Sequence, residues 1–202
     1  MLEHRLPLLV TGIAGVAGLN AFQVLHRKYP GQVVGIRPRQ TAALTEPGVV
    51  AQDAEDGDGM RALFDHYGFK GVLNCVGNCA LKSCELDPAM AHAVNVQSAI
   101  VLAAQAKRHD ARVVHLSSDL VFSGTREGNH VEGDPTDPVT VYGKTMVQAE
   151  AVFADQVPPA AILRISLPMG ASFNQHAGAI DWIQSRFRAG RPATLYFDEV
   201  RS

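Results

Sequence analysis

The sequence predicts an α/β protein built on a doubly wound parallel sheet with helices on both faces. Three observations predict it. Short apolar runs alternate with stretches of helical spacing along nearly the whole chain. The first apolar run opens directly into a glycine-rich turn and then a helix. The runs are continuous, as in strands buried on both faces, and lack the alternation of a half-exposed sheet.

Leu6–Thr11 is read as the first strand. Gly15–Lys28 follows as a helix, with Val16, Leu19, Phe22, Val24 and Leu25 at its apolar positions. Gln32–Ile36 is the second strand. The stretch from Arg37 to Gly48 holds two prolines and reads as loop, before a short third strand at Val49–Gln52. Met60–Tyr67 has helical spacing, and Gly71–Val76 is a fourth buried strand. Pro88–His109 is an alanine-rich helix with Val94, Ala99, Val101 and Leu102 turned inward. Ala111–Ser117 is the fifth strand, and Ser123–Pro138 is a long loop rich in glycine, proline and acid. Val139–Ala154 is a helix, Ala160–Ile165 a sixth strand, Ala177–Ala189 a helix, and Thr194–Phe197 a last strand. The order is βαβαβ twice over, with no internal repeat.

The 202 residues bound the chain to one domain. Apolar residues make up 47% and charged residues 19%, a core-forming composition rather than a disordered one. A net charge of −2 gives no basic field for nucleic acid. No apolar run is long enough to span a bilayer, and the start is too short and too glycine-broken for a signal peptide. Cys75, Cys79 and Cys84 are odd in number and close together, which fits a reduced, cytoplasmic protein. They form no paired CxxC, so no metal is expected; Cys75 and Cys79 read as small core residues.

Ligands of such sheets bind beyond the C-terminal ends of the strands. After the first strand, Gly12, Gly15 and Gly18 have the spacing G-x-x-G-x-x-G. Gly12 permits the turn, Gly15 lets a pyrophosphate approach the backbone, and Gly18 allows close packing of helix and strand. The helix N-terminus then offers free N–H groups to phosphate. After the second strand stands Arg37. Either it forks a 2′-phosphate, favouring NADP over NAD, or it is a solvated surface arginine. Asp53 and Ala54 follow the third strand; Asp53 either accepts from an adenine amino group or is an exposed loop residue. Val76 and Gly77, small residues past the fourth strand, leave room for a cofactor. Ser118 follows the fifth strand, and Tyr142 lies 24 residues further on, at a helix start. A hydroxyl pair beside a nicotinamide suits carbonyl reduction, with Tyr donating the proton and Ser holding the same oxygen. His115 reads as a sheet residue rather than a catalyst. Glu132 and Asp134 are either solvated loop carboxylates or contacts to a sugar hydroxyl.

The segments TGIAGVAG, LNCVGN, AVNVQSA, HLSSDLVFSG, PVTVYGKT and LRIS together resemble the extended short-chain dehydrogenase/reductases. Within these the chain is most similar to the dTDP-4-dehydrorhamnose reductase group of sugar-nucleotide-binding proteins. The resemblance covers almost the whole chain. It implies a Rossmann-type NAD(P)-binding domain over residues 1–202, with Ser118 and Tyr142 in the catalytic set. It also implies cofactor contacts near Gly12, Gly15, Val16, Ala17, Arg37, Asp53, Ala54, Val76, Gly77 and Leu167. Many such proteins reduce the 4-keto group of a dTDP-deoxysugar with NADPH or NADH; one branch instead regulates a methionine adenosyltransferase.

Two features depart from that pattern. The family has Tyr-x-x-x-Lys, and here Met146 stands at the lysine position. That lysine would hold the nicotinamide ribose and lower the tyrosine pKa; methionine does neither. Lys144, two residues from Tyr142, points to another side of the helix. Secondly, residues 166–202 resemble the lead into a C-terminal substrate lobe that this sequence largely lacks. Either the sequence is a fragment of a longer protein, or the chain has lost half its substrate pocket; in the second case apolar surface is exposed and a homo-oligomer or a partner protein is expected. The function expected is an NADP-dependent reductase of a nucleotide-linked keto-sugar, impaired at the Met146 position. The alternative is a non-catalytic NADP- or nucleotide-sugar-binding protein regulating a partner. A reductase of another small carbonyl compound is a third reading.

Overall fold

A computed structural model describes residues 3–126, 128–173 and 178–194. Six parallel strands form one sheet: β1 (Leu8–Val10), β2 (Val33–Arg37), β3 (Val49–Ala51), β4 (Gly71–Asn74), β5 (Arg112–Ser118) and β6 (Ala161–Ile165). Their spatial order is β3-β2-β1-β4-β5-β6, so the winding reverses between β1 and β4. Leu8 stands opposite Val33 on one side and Gly71 on the other, and all three β1 residues are buried. The crevice above that reversal is where such sheets hold their ligands.

The helices are α1 (Val16–Lys28), α2 (Gly57–Tyr67), α3 (Leu81–Leu86), α4 (Pro88–His92), α5 (Ser98–His109), α6 (Val141–Gln156) and α7 (Ala179–Arg188). On one face of the sheet α1 contributes Leu19 and Phe22 to a core with Val10, Ile13 and Val33. On the other face α2, α5 and α6 contribute Phe64, Leu102 and Phe153. Local chemistry fixes the starts of these helices. Asp56 caps α2 by accepting from Gly59 N, and Thr140 caps α6 by accepting from Gly143 N at 3.0 Å.

Two differences from the expected elements have physical reasons. The helix expected at Pro88–His109 is interrupted by a π turn at Ala93–Gln97. Within that turn, buried Asn95 accepts from Asn78 N at 2.7 Å and donates to Thr145 Oγ1 at 2.8 Å. The six-residue α3 was not foreseen, because so short a helix carries no readable period. Other boundaries move by one to three residues; β1 and β4 are shorter than their apolar runs because both chains turn early over the site. The strand expected at Thr194–Phe197 and the segment from Tyr196 to Ser202 lie, beyond Thr194, outside the described residues. Among the described residues no helix is long and apolar enough to cross a membrane.

Candidate active site

Gly12 has φ +65, and a Cβ there would overlap the Cys75 carbonyl. The turn after β1 therefore lies directly on the chain leaving β4. A Cβ at Gly18 would overlap Gly12 O, so the third glycine lets α1 close on the turn itself. Over Gly15 the only near neighbour of an added Cβ would be Gly12 O at 3.4 Å. Gly15 is also the N-cap of α1 and makes no side-chain cap. No side chain caps the first-turn N–H groups of α1, which include those of Val16 and Ala17, and an uncapped helix start of this kind suits a phosphate.

Beside this turn lies a cavity of about 380 Å³. Gly12, Arg37, Arg39, Asp53, Ala54 and Val76 are among its walls, so five of the residues singled out in the sequence meet at one place. The Arg37 side chain is turned toward its own loop. Its Nε donates to Leu44 O at 2.6 Å, and its Nη1 to Pro38 O at 3.1 Å and Arg39 O at 3.3 Å. The more exposed cation of the wall is Arg39, to which the sequence reading gave no role. It donates to Asp56 at 2.7 Å and to Gln52 at 3.2 Å, and lies 3.5 Å from Asp53. Asp53 also accepts from Arg39 N at 2.9 Å. The bond from Gly59 N, then Arg39 and Gln52, holds the Asp56 pKa down to about 2.

Beneath the turn runs a buried polar chain. Thr11 donates to Asn74 Oδ1 at 2.6 Å, and Cys75 N donates to the Thr11 hydroxyl at 3.1 Å. Val76 N donates to Asn74 Oδ1 at 3.3 Å. The Asn74 amide nitrogen is 3.0 Å from His115 Nδ1. Burial pushes the His115 pKa down to about 4, with nearby Glu150 pulling the other way. Burial likewise pushes the Cys75 thiol up to about 12. Cys75 and Cys79 were expected as small core residues; Cys75 is only partly buried and Cys79 is exposed on the chain leaving β4, while Cys84 on α3 is the buried one.

Ser118 ends β5 and Tyr142 begins the second position of α6. The two are brought together because Gly143 lets α6 sit on the carbonyl of Leu120, which an added Cβ would overlap. The Ser118 hydroxyl donates to Asp119 at 3.1 Å and accepts from Leu120 N at 3.1 Å. Ser118 is also close enough to Tyr142 to lower the pKa of its phenol. Burial, and then the neighbouring Cys79, raise the Tyr142 pKa to about 12, and Ser118 offsets this only in part. Met146 is one turn along the same helix face, 2% exposed, in a cluster with Cys84, Ala91, Val121 and Tyr142. Its sulfur lies against Gly77, where an added Cβ would be 3.9 Å from it. Lys144 is exposed on another side.

The remaining candidates are dispersed. Asp134 accepts from Val131 N, Arg126 and His130, and so organises its own loop. Leu167, two residues beyond β6, is 46% exposed. Glu150, unremarked in the sequence, is buried and bound by Ser117 at 2.5 Å and by Arg164 at 2.8 Å. Arg164 in turn lies 5.2 Å from the Phe122 ring, beyond which His130 stacks at 3.8 Å. The open glycine turn, uncapped helix start and adjoining cavity fit the pyrophosphate and adenosine of a dinucleotide. At the other end, Met146 offers no donor for ribose hydroxyls.

The RmlD substrate binding domain family matches residues 6–193. Over 193 residues the chain is 31% identical to a probable low-salt glycan biosynthesis reductase of Haloferax volcanii, spanning 95% of this chain and 64% of that protein. It is 35% identical over 150 residues to the dTDP-4-dehydrorhamnose reductase of Burkholderia thailandensis, spanning 74% and 46%. Among solved structures, the Bordetella bronchiseptica enzyme WbmG, in complex with NAD and UDP, superposes with a TM-score of 0.79 at 23% identity, over 94% of this chain and 61% of that one. A Bacillus anthracis dTDP-4-dehydrorhamnose reductase in complex with NADP gives 0.72 at 17% identity, over 91% and 59%. The chain thus spans about half to two thirds of the length of these relatives.

Proposed function

This chain belongs to the RmlD substrate binding domain family, and on that premise we propose that it is the dinucleotide-binding and catalytic part of an NADP-dependent reductase of nucleotide-linked 4-keto-sugars. The observation that carries the proposal is the placement of Ser118 at the end of β5 and Tyr142 in the first turn of α6, which Gly143 packs onto Leu120, in the same fold as an open glycine turn. The N–H groups of Val16 and Ala17 would hold the pyrophosphate, while Gly15, whose own N–H donates to Gly12 O at 2.9 Å, leaves room for it above the turn. Asp53, Ala54 and Val76 would bound the adenosine, and Gly77 and Leu167 would border the nicotinamide half. Arg37 and Arg39 supply positive charge for a 2′-phosphate, which supports NADP over NAD. Bound NADPH would supply the hydride. Tyr142 then protonates the carbonyl oxygen, and the Ser118 hydroxyl holds that oxygen in place. A Tyr142 pKa of about 12 keeps the phenol protonated, ready to donate, but makes it a poor acid without a neighbouring cation.

Met146 favours a second reading: a protein that holds NADP or a nucleotide-sugar and regulates a partner without turnover. We place either protein in the cytoplasm, where three free thiols and such ligands coexist. Calorimetric titration with NADPH and NADH tests the common part. Micromolar NADPH binding with weaker NADH binding is expected, and no binding of either overturns the reductase reading and leaves only the nucleotide-sugar form of the second. Turnover of dTDP-4-dehydrorhamnose with NADPH then separates reductase from binding protein.

A further inference from the structure

His115 is an unexpected residue in a parallel strand. It is 1% exposed, and its Nε2 has no hydrogen-bond partner among the described residues. Its tautomer follows from its neighbours. Val76 N–H can only donate, so the Asn74 atom facing it must be the amide oxygen. The Asn74 amide nitrogen is then the atom facing His115 Nδ1, and it too can only donate. His115 Nδ1 is therefore the acceptor, and the neutral ring carries its proton on Nε2. That N–H is the group left buried and unsatisfied. Leaving a buried donor unpaired opposes folding, so a residue that does so is retained for something other than stability.

What His115 does is hold Asn74. Asn74 Oδ1 receives both Thr11 and Val76 N, and Thr11 receives Cys75 N. Cys75 and Val76 are the residues on which Gly12 rests without room for a Cβ. Three strands, β1, β4 and β5, are thus tied together directly beneath the glycine turn. An Asn74 amide without an acceptor on its nitrogen is held only through the two bonds to its oxygen and turns over more readily, which would break both. We propose that His115 is a positioning residue for the dinucleotide site: as an acceptor for Asn74 it fixes the exit of β4 against the glycine turn. The proposal rests on the dinucleotide reading above. It assigns His115 no contact with a ligand.

Two variants separate positioning from packing. Leucine at 115 keeps much of the volume, removes the acceptor and also removes the unsatisfied N–H. Asparagine keeps an acceptor close to the Nδ1 place but packs less well against Phe153, whose ring lies 4.8 Å from that of His115. His115→Leu should therefore match or exceed the wild-type Tm, yet bind NADPH about five- to tenfold more weakly, the loss of roughly one net hydrogen bond. Amide exchange at Cys75 and Val76 should quicken by about tenfold in the same variant without ligand. His115→Asn should melt lower and yet keep NADPH affinity and slow exchange near those of wild type. A purely structural residue would move Tm, affinity and exchange together, and that result overturns the proposal. Should the leucine variant not fold, long-range nitrogen-15 spectra of the wild-type imidazole decide. A proton on Nε2 is expected, and a proton on Nδ1 overturns it. Wild-type binding with undiminished affinity in His115→Leu removes this inference alone. No binding of NADPH or NADH by wild type removes the dinucleotide reading and the inference together.

Discussion

The two halves of the site have kept different things. On the β1–β2–β3 side the backbone has three features that suit a dinucleotide: a left-handed Gly12, space over Gly15, and an α1 without a side-chain cap. On the β5–α6 side the two hydroxyls are in place, but the cation that would make them reactive is replaced by a buried thioether. The difference teaches that binding and chemistry are separable in this fold. The first is written mainly in glycines and strand ends, the second in one charge at one helical position.

The largest effect should come from restoring that charge. Met146→Lys places an ammonium one turn from Tyr142 on the same helix face, where it lowers the phenol pKa and raises its acidity. If the rest of the site is competent, NADPH-dependent reduction of dTDP-4-dehydrorhamnose should rise by about 10²–10⁴-fold. The alkaline limb of the pH–rate profile should move down from about 12. Lysine in a cluster with Cys84 and Val121 carries a desolvation cost, so Tm should fall as turnover rises. A stable variant with no gain in turnover would leave the chemical half idle and favour the binding reading. The binding half is attacked by Gly12→Ala. A Cβ there meets the backbone at Cys75 and Val76 in a left-handed conformation, so a loss of about 3–5 kcal/mol in stability is expected. Chemical denaturation measures it, and Gly15→Ala, with open space above it, should cost far less stability while reducing NADPH binding.

The fold was legible because its signals are local and repeated: the buried strands are short apolar runs, and many of the turns between elements carry glycine or proline. That Gly12, Arg37, Asp53, Ala54 and Val76 meet around one cavity was legible because all follow strand ends of a wound sheet. The direction of the Arg37 side chain was not, since nothing in the sequence says that its guanidinium turns to the carbonyls of residues 38, 39 and 44. Arg39 was overlooked for the same reason: its partners, Gln52, Asp53 and Asp56, are distant in sequence. The Asn74–His115 pair joins residues 41 apart, and its meaning depends on which amide atom faces which strand. Asn95 needed the π turn that no propensity announces.

His115 also gives a pH window in which the halves can be compared. Its pKa of about 4 in the folded protein lies below the ordinary 6.5. Between those values the unfolded chain binds more protons than the native one, so stability rises with pH. The contribution is complete above pH 6.5 and is lost as pH falls toward 4, a change on the order of 3 kcal/mol. Denaturant midpoints should therefore fall more steeply from pH 7 to 4 in wild type than in His115→Leu. Equal slopes would mean that His115 is solvated in the native state. Glu150, which favours the protonated ring, lessens the slope without reversing it.

The smallest effect belongs to the wall of the adenosine cavity, and it sharpens the binding half into a choice of cofactor. Arg39 is about half exposed (53%) and is held by Asp53 and Asp56, so it can swing to a phosphate without breaking the core. Arg37 would first have to give up its three carbonyl bonds. Without the Arg39 cation the two carboxylates would face a 2′-phosphate directly and repel it, while a 2′-hydroxyl could still donate to one of them. Arg39→Ala should therefore weaken NADPH binding by about tenfold and leave NADH binding unchanged or slightly tighter. Arg37→Ala should loosen the loop after β2 and weaken both cofactors alike, leaving their ratio near that of wild type. Raising the salt concentration should narrow the NADPH advantage of wild type and have little effect in Arg39→Ala, because an exposed guanidinium is screened. If instead the ratio moves with Arg37 and not with Arg39, the loop opens on binding, and the carbonyl bonds of Arg37 are what NADP displaces.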